Sequence, residues 1–231
     1  MNHYIKNIIP SALVHPTYFI RNALSKAVED YAPSLTGKIL DVGCGTKPYQ
    51  HFFEHTTGYI GMEYDTPEGR SMNGPDVFYD GDTFPFADNH FDSVIATEVL
   101  EHVFNPNDFL SEIHRVLKPG GFLLLTTPLM WKEHQQPYDY GRYSSFGLQH
   151  IVEKHDFKVV GQKKLVTGIR AIFLLGTRYL KECITVKNFY ARTLLYVIFI
   201  SPWTLLAIVL SYILPNKDST YVGNALLAKK K

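Results

Sequence analysis

The residues best suited to bind a ligand lie at the end of a short apolar run and in the glycine turn that follows it. The run Ile39–Val42 is typical of a buried parallel strand, and Gly43 and Gly45 come directly after it. Glycines let a ligand approach the backbone closely. Ligands of open α/β sheets bind beyond the carboxyl ends of the strands, which places Asp41 near such a site. An ordinary tight turn is the alternative interpretation.

A second acidic residue lies at the end of the next predicted strand. The segment Tyr59–Glu63 (YIGME) predicts another short strand, and Glu63 lies 22 positions after Asp41. This spacing is close to the roughly 20 residues at which an acid meets a ribose diol in nucleotide-binding folds. The sequence has neither the third glycine of a dinucleotide fingerprint nor a GxxxxGK[ST] phosphate loop. We therefore expect a ligand that carries a ribose but no pyrophosphate.

Five motifs in a fixed order carry a family resemblance. They are LDVGCG (Leu40–Gly45), YIGME (Tyr59–Glu63), DGDTFPFADNHFDSV (Asp80–Val94), EVLEHV (Glu98–Val103) and RVLKPGGFLLLTTP (Arg115–Pro128). Together they resemble the class I S-adenosylmethionine-dependent methyltransferases over roughly residues 37–165. The resemblance implies an α/β Rossmann-like fold, doubly wound, with a mostly parallel seven-stranded sheet and an antiparallel last strand. It also implies S-adenosylmethionine as the cofactor.

The resemblance assigns cofactor-binding residues to the ends of four strands. In this assignment Asp80 accepts a hydrogen bond from the adenine amine and Gly81 leaves room for the ring, with Asp82 as a competing candidate. The methionine portion lies against Thr97 and Glu98. We expect Cys44 to be a small packing residue of the turn and not a nucleophile. The complete predicted set is Asp41, Gly43, Cys44, Gly45, Glu63, Asp80, Gly81, Thr97 and Glu98.

Candidate catalytic residues lie mainly in the loop after the predicted fifth strand. Within HQQPYDYGRY, His134 is our first candidate base and Asp139 the second. His102 is a third candidate, because a helix that begins at Glu98 would place it on the same face at i+4; a purely structural role is the favoured alternative. The candidate substrate-binding residues are Tyr138, Tyr140 and Arg142. Methyl transfer is an in-line displacement, so alignment without a base is also sufficient.

Composition narrows the class of protein. The 231 residues are 45% hydrophobic, which suits one α/β domain with an appendage. A net charge of +1 without a basic patch excludes a general attraction to nucleic acid. Two cysteines without CxxC or HExxH spacing predict no metal site and no disulfide framework. Residues 1–10 lack the pattern of a secretory leader, so we expect a cytoplasmic protein.

We predict three segments. Residues 1–36 form an N-terminal helical cap, in which a helix over 16–31 covers the cofactor cleft or, equally well, packs on the sheet. Residues 37–167 and 220–231 form the methyltransferase domain. Residues 168–219 form a hydrophobic helical insertion between the sixth and seventh strands.

The insertion contains the most apolar part of the chain, Leu194–Leu214. Because it joins two strands of one sheet, both of its ends must lie on one side of any membrane. Ser201 followed by Pro202 is typical of a helix start and predicts two helices too short to span a bilayer. We therefore predict a peripheral or monotopic hairpin in one leaflet. Nearby basic residues would add attraction to an anionic surface: these are Arg170, Arg178, Lys181, Lys187 and Arg192.

These observations predict a cytoplasmic methyltransferase at the inner face of the membrane. The segments TKPY (46–49) and HQQPYDYGRYS (134–144) resemble enzymes of surface-glycan and lipid-linked saccharide synthesis. That resemblance implies an O-methylated, lipid-linked or glycan-type acceptor. One alternative is a methyltransferase of a soluble metabolite, with the insertion as the interface of a homodimer. Another is a non-catalytic, membrane-associated protein that keeps the cofactor fold.

Overall fold

The computed structural model describes residues 17–231. They form two compact units, one made of 17–24 with Lys164–Val222 and the other of Ser25–Lys163 with Gly223–Lys231. Residues 1–16, which include the first residue of the predicted N-terminal helix, lie outside the described part. Every predicted site residue belongs to the second unit, which we call the sheet unit; the first is the hairpin unit.

Seven strands form one sheet in the order β3-β2-β1-β4-β5-β7-β6. The strands are β1 (Lys38–Val42), β2 (Gly58–Tyr64), β3 (Val77–Tyr79), β4 (Phe91–Thr97), β5 (Leu117–Pro128), β6 (Phe157–Thr167) and β7 (Tyr221–Lys230). The first five pair in parallel, and β7 runs antiparallel to β5. The predicted fold class is confirmed. The strand order reverses between β1 and β4, which is where ligands bind in doubly wound sheets.

Within residues 17–231, six helices accompany the strands. They are α1 (Tyr18–Tyr31), α2 (Pro67–Arg70), α3 (Pro106–Val116), α4 (Ser145–Glu153), α5 (Ile169–Cys183) and α6 (Phe189–Ile213). On one face of the sheet Val28 of α1 packs with Ile39, Ile95 and Leu124. The part of α1 in the sheet unit therefore covers the sheet, which was one of the two predicted roles.

Two segments next to the site do not form α-helices. After the glycine turn the chain forms a single 3-10 turn, Gln50–Phe53, which follows a positive φ of 53° at Lys47. No α-helix begins at Glu98, whose φ is 55° and whose amide donates to the Thr126 carbonyl. A short 3-10 turn, Leu100–His102, follows it, so the i+4 relation proposed for His102 does not exist.

In the hairpin unit, α5 and α6 form an antiparallel helical hairpin. The Trp203 indole donates to the Phe173 carbonyl at 3.0 Å, and their ring centroids are 4.4 Å apart. At the open end the Gly168 amide donates to the Thr220 carbonyl at 2.8 Å. The chain thus enters and leaves the hairpin at one point, as expected for an insertion between neighbouring strands.

The predicted division of α6 at Pro202 is wrong. The helix is continuous over 25 residues, Phe189–Ile213. A π-helical turn, Tyr196–Ile200, precedes the proline, and the Ser201 amide donates to the Tyr196 carbonyl five residues earlier. This wider turn accommodates a residue that has no amide. At about 37 Å, the helix is long and apolar enough to cross a bilayer by length and composition.

Helix α6 buries its small and polar residues together with Ile200, and exposes most of its large apolar residues. The buried stripe contains Ser201, Thr204 and Ala207, at 5% exposure or less. Phe199 and Val209 are both more than half exposed. The other exposed apolar residues of this helix are Phe189, Tyr190, Leu194, Val197, Ile198, Trp203, Leu205, Leu206, Tyr212 and Ile213. This pattern is the reverse of a helix in a water-soluble core.

Candidate functional site

The glycine turn after β1 needs its two glycines for different reasons. Both have positive φ angles, 65° at Gly43 and 51° at Gly45. A Cβ on Gly43 would lie 2.4 Å from a methyl carbon of Val99, so a side chain there is excluded by packing. No atom of the described residues lies within 4 Å of the position of a Cβ on Gly45. Gly45 is therefore the point of the turn where a ligand can contact bare backbone.

Cys44 lies between these glycines and is 3% exposed. Burial, together with the charge of nearby Asp41, raises the pKa of its thiol to about 12. A thiol with such a pKa is not a nucleophile at neutral pH. The structure therefore places Cys44 as a packing residue.

Asp41 and Glu63 lie on the same face of the sheet. Asp41 is paired in register with Gly61, and Glu63 is two positions further along β2. Asp41 accepts a hydrogen bond from the Tyr59 hydroxyl at 2.6 Å, while its other oxygen has no hydrogen-bond partner among residues 17–231. Glu63 accepts from the Gly45 amide at 2.8 Å. Burial, with the charge of Glu63, raises the pKa of Asp41 to about 7.

The acidic segment after β3 is exposed. Asp80 and Asp82 both face solvent, and the Asp82 amide donates to the Asp80 carboxylate at 3.1 Å. Gly81 has a φ of 100°, and a Cβ there would lie 2.9 Å from the Tyr64 ring. Phe84, which follows this segment, is 2% exposed and belongs to the main core.

Thr97 and Glu98 lie at the end of β4, beside the reversal of strand order. The Thr126 hydroxyl donates to the Glu98 carboxylate at 2.9 Å, which ties this residue to the end of β5. Burial raises the pKa of Glu98 to about 7. Its left-handed backbone is uncommon for a residue other than glycine, and such conformations cluster at functional sites.

Three predicted residues of the loop after β5 form one bonded group. Asp139 accepts from the His134 amide at 2.9 Å and lies 3.2 Å from its Nδ1. Both terminal nitrogens of Arg142 also donate to Asp139. This pairing holds the pKa of Asp139 well below its usual range. Asp139 therefore orients His134, and the Arg142 guanidinium is engaged with Asp139.

Tyr138 and Tyr140 are exposed at 55% and 47%. Their backbone connects the loop to the segment after β4, since the Tyr140 amide donates to the Glu101 carbonyl at 2.8 Å. Two phenol groups are thus presented to solvent next to the His134 loop.

The structure adds one residue that the sequence analysis did not select, Glu101. It is fully buried, and neither carboxylate oxygen has a hydrogen-bond partner among the described residues. The imidazole Nε2 of His102 is 3.7 Å from this carboxylate, and that of His134 is 3.9 Å from it. Burial and the charge of Glu98 raise the pKa of Glu101 to about 9, whereas burial lowers the pKa of His102. The signal was present in EVLEH, where a second acid precedes the histidine.

Comparison with known proteins agrees with this geometry. Residues 40–125 match the family model described as a methyltransferase domain. A ubiquinone/menaquinone biosynthesis C-methyltransferase of Burkholderia mallei is 28% identical over 152 residues, which cover 60% of each chain. A protein of the same description from Burkholderia thailandensis matches equally. The chain spans about 60% of the length of these curated relatives.

Solved structures share the fold. A putative methyltransferase from Bacillus halodurans has a TM-score of 0.55 at 18% identity, over 90% of this chain and 99% of that one. Phosphoethanolamine N-methyltransferase 2 of Haemonchus contortus, in complex with S-adenosyl-L-methionine, has a TM-score of 0.57 at 20% identity, over 90% and 52%. The [4+2]-cyclase SpnF has a TM-score of 0.59 at 19% identity, over 90% and 80%.

The residues at the reversal of strand order fit a ribose-bearing cofactor. Gly45 offers open backbone, and the two acids converge beside it, one with a buried oxygen that has no hydrogen-bond partner among residues 17–231. Ribose hydroxyls would supply the donors that such carboxylates need. Taken with the methyltransferase-domain model that matches residues 40–125, these features indicate a methyltransferase domain in the sheet unit, and S-adenosylmethionine is the cofactor that fits them.

Proposed function

We propose that this protein methylates an oxygen of a lipid-linked or glycan-type acceptor, at the inner face of a membrane that its hairpin unit contacts. The observation that carries the proposal is the inverted packing of α6 within a methyltransferase chain. S-adenosylmethionine supplies an electrophilic methyl group. The chain supplies the alignment, the acceptor site and attachment to the surface.

Lipid is the occupant that best suits the exposed side of α6. Large apolar side chains surround the helix except along the buried stripe, and each would lose contact with water in an acyl environment. The stripe that faces α5 contains small and hydroxyl-bearing residues, which is how helices pack when no water is available to drive large side chains inward. A protein partner would cover one face and not most of the circumference.

The charges indicate how the hairpin would lie. Lys187 and Arg192 are close to the turn between α5 and α6, and Arg170 is near the open end. A hairpin that entered tip first would carry Lys187 and Arg192 into hydrocarbon, at about 2.5–3.5 kcal/mol each near the centre. A hairpin lying along the interface keeps all three cations at the headgroups, where each adds about 1 kcal/mol on an anionic leaflet.

The loop after β5 is the proposed acceptor site. It presents Tyr138 and Tyr140 to solvent, and its His134 lies 3.9 Å from the carboxylate of Glu101 in the turn after β4. Hydroxyl-rich acceptors suit this set of phenols, imidazoles and carboxylates. Asp139 is paired with Arg142, so His134 is the base of this loop if the acceptor proton is removed by a side chain.

Methylation of a carbon is a second candidate. The curated relatives at 28% identity are described as C-methyltransferases. Mass spectrometry of the labelled product separates the two candidates, because an O-methyl group is removed by ether cleavage and a C-methyl group is retained.

Vesicle flotation of the full chain tests the membrane contact. We expect the protein to float with vesicles of phosphatidylglycerol and phosphatidylethanolamine, and Phe199→Asp with Val209→Asp to abolish flotation. Phe146→Asp is the matched control, because Phe146 is 81% exposed on α4 of the sheet unit. A protein that stays soluble with all vesicles, and that elutes as a dimer, would favour the metabolite enzyme with a dimeric hairpin interface.

Methyl transfer is tested with radiolabelled S-adenosylmethionine and membrane extracts. We expect label in a lipid or lipid-linked saccharide fraction, and less label at subsaturating S-adenosylmethionine when the cofactor residue Glu63 is changed to alanine. Cofactor binding by calorimetry without incorporation into any extract would indicate the non-catalytic binding protein.

A further inference from the structure

Three side chains next to the cofactor residues bring one donor atom each to a common point. The Glu101 carboxylate, the His102 Nε2 and the His134 Nε2 all lie within 4.8 Å of one another. The planes of the two imidazole rings make an angle of 71°, and the ring centroids are 4.6 Å apart. The three residues come from two separate segments, the 3-10 turn after β4 and the loop after β5.

Both imidazoles are held in the tautomer that leaves Nε2 free to coordinate. The His102 Nδ1 lies 2.5 Å from the Tyr138 carbonyl, which only accepts hydrogen bonds, so this nitrogen carries the proton. The His134 Nδ1 likewise donates to Asp139, a carboxylate kept ionised by Arg142. Carboxylates and backbone carbonyls in these positions are the outer partners that orient metal-bound histidines.

The buried carboxylate of Glu101 also indicates a cation site. A fully buried carboxylate normally accepts several hydrogen bonds, yet neither oxygen of Glu101 accepts one from the described residues. The Nε2 atoms of His102 and His134 face this carboxylate at 3.7 and 3.9 Å, and each presents a lone pair when the proton is on Nδ1. Three electron-pair donors face one another here: in the metal-free protein the raised pKa of Glu101 keeps a proton among them, and a divalent cation would take the place of that proton.

We propose that Glu101, His102 and His134 bind a divalent transition-metal ion. Two imidazoles and one carboxylate suit zinc, iron, cobalt or manganese, whereas magnesium prefers a shell of oxygen atoms. The nitrogen–oxygen separations of 3.7 and 3.9 Å are a few tenths of an ångström longer than in a bound tetrahedral site, where ligand atoms about 2.1 Å from the ion lie about 3.4 Å apart. The two imidazole Nε2 atoms lie within 4.8 Å of each other, so binding requires these side chains to rotate toward the ion.

Three protein ligands leave coordination positions for the acceptor, an inference that rests on the proposed function. A hydroxyl bound to the ion becomes more acidic and loses its proton to solvent at neutral pH. The oxygen then forms a bond to the methyl carbon, while the carbon–sulfur bond breaks and its electron pair remains on sulfur. The substrate class is accordingly one with an oxygen that a metal can bind, such as a diol or a phenol.

Titration of the full-length protein with Co²⁺ tests the site, because imidazole-bound Co²⁺ absorbs visible light. We expect one equivalent to bind, with Zn²⁺ displacing it and a large excess of Mg²⁺ failing to do so. Glu101→Gln and His134→Asn should each weaken binding by more than the 10–100-fold typical of outer partners, and Asp139→Asn should fall within that range. His150→Asn, an exposed histidine of α4, should bind as the unaltered protein does.

Thermal unfolding provides a readout that does not depend on activity. Zn²⁺ should raise the melting temperature of the unaltered protein and of His150→Asn, but not that of Glu101→Gln, whose fold is checked by its circular dichroism. Binding that is unchanged in both Glu101→Gln and His134→Asn would overturn the proposal. So would full methyl transfer by chelator-treated, metal-free protein, which would leave His134 as a general base. Metal binding without methyl transfer would refute the proposed function instead.

Discussion

Glu63 bridges the second strand and the glycine turn, and that position gives it a sharp test. One of its carboxylate oxygens accepts the Gly45 amide, next to the open backbone where the cofactor must lie. Glu63→Ala removes the proposed partner of the ribose hydroxyls and should weaken S-adenosylmethionine binding by about 1–3 kcal/mol, or about 5- to 150-fold. Isothermal titration calorimetry measures this loss.

Glu68 provides the matched control for that measurement. It is an exposed acid of α2, five residues further along the chain. Glu68→Ala should leave the affinity within twofold of the unaltered value. Equal affinity in both variants would contradict the placement of the ribose at Glu63.

Asp41 predicts a pH dependence of stability in the cofactor-free protein. Burial raises its pKa from 3.8 in the unfolded chain to about 7. Between these values the folded protein holds a proton that the unfolded chain has released. The stabilising contribution is therefore complete below pH 3.8 and is lost as the pH rises through about 7. Asp41→Asn removes the titrating group. The melting temperature of this variant, relative to that of the unaltered protein, should therefore rise between pH 5 and pH 8.

Differential scanning calorimetry at both pH values checks the prediction. The difference between the two proteins corresponds to at most a few kcal/mol. A constant difference across this range would show that Asp41 is ionised in the folded protein throughout.

At the scale of elements, the contact between α5 and α6 depends on a residue without a side chain. A Cβ on Gly176 would lie 3.0 Å from the Trp203 indole. Gly176→Val should separate the two helices and destabilise the hairpin by about 1–3 kcal/mol, the usual cost of overpacking. Trp203 emission during heating reports this change once Trp131, the other tryptophan, is replaced by phenylalanine.

Ile172→Val is the control on the same helix. Ile172 is 54% exposed, so loss of one methylene there should shift the transition very little. Equal shifts in both variants would show that the helices do not pack through Gly176.

The sequence predicted elements that depend on local interactions correctly, and it failed where distant residues determine the backbone. Buried strands such as Ile39–Val42 have local signatures, and the seven strands were predicted in their correct order along the chain. The backbone at Glu98 is set by bonds to Thr126, 28 positions away, and no local pattern reveals it. The prediction at Pro202 failed for a related reason. Ser201 followed by Pro202 is locally typical of a helix start, but packing against α5 favours a continuous helix with one π turn.

The cluster around Glu101 shows the same limit at the site. Each residue type is visible in EVLEH and in the His134 loop. Their meeting depends on loop bonds such as that from the Tyr140 amide to the Glu101 carbonyl, which the sequence does not encode in any short motif.

At the scale of the whole molecule, an interfacial hairpin predicts binding that depends on salt and lipid charge. Lys187→Gln combined with Arg192→Gln removes about 2 kcal/mol of attraction and should weaken binding to anionic vesicles about 30-fold. Raising the salt from 0.1 to 1 M should have a similar effect, because it shortens the Debye length from about 10 to about 3 Å. Co-sedimentation with vesicles measures both effects.

Neutral vesicles supply the control. The double variant and the unaltered protein should bind phosphatidylcholine equally and weakly, through apolar contacts alone. A 30-fold loss on neutral vesicles as well would indicate that the hairpin had been disrupted.

The position of β7 has a consequence for synthesis of the chain. This strand lies between β5 and β6 but is translated after the hairpin. When the residues up to 220 have left the ribosome, the apolar hairpin is therefore exposed and the sheet still lacks the strand between β5 and β6. We expect such stalled nascent chains to be protease-sensitive in solution and to be recovered with membranes, whereas release of β7 closes the gap and confers resistance. The hairpin would then bind the membrane before the sheet of the methyltransferase domain is complete.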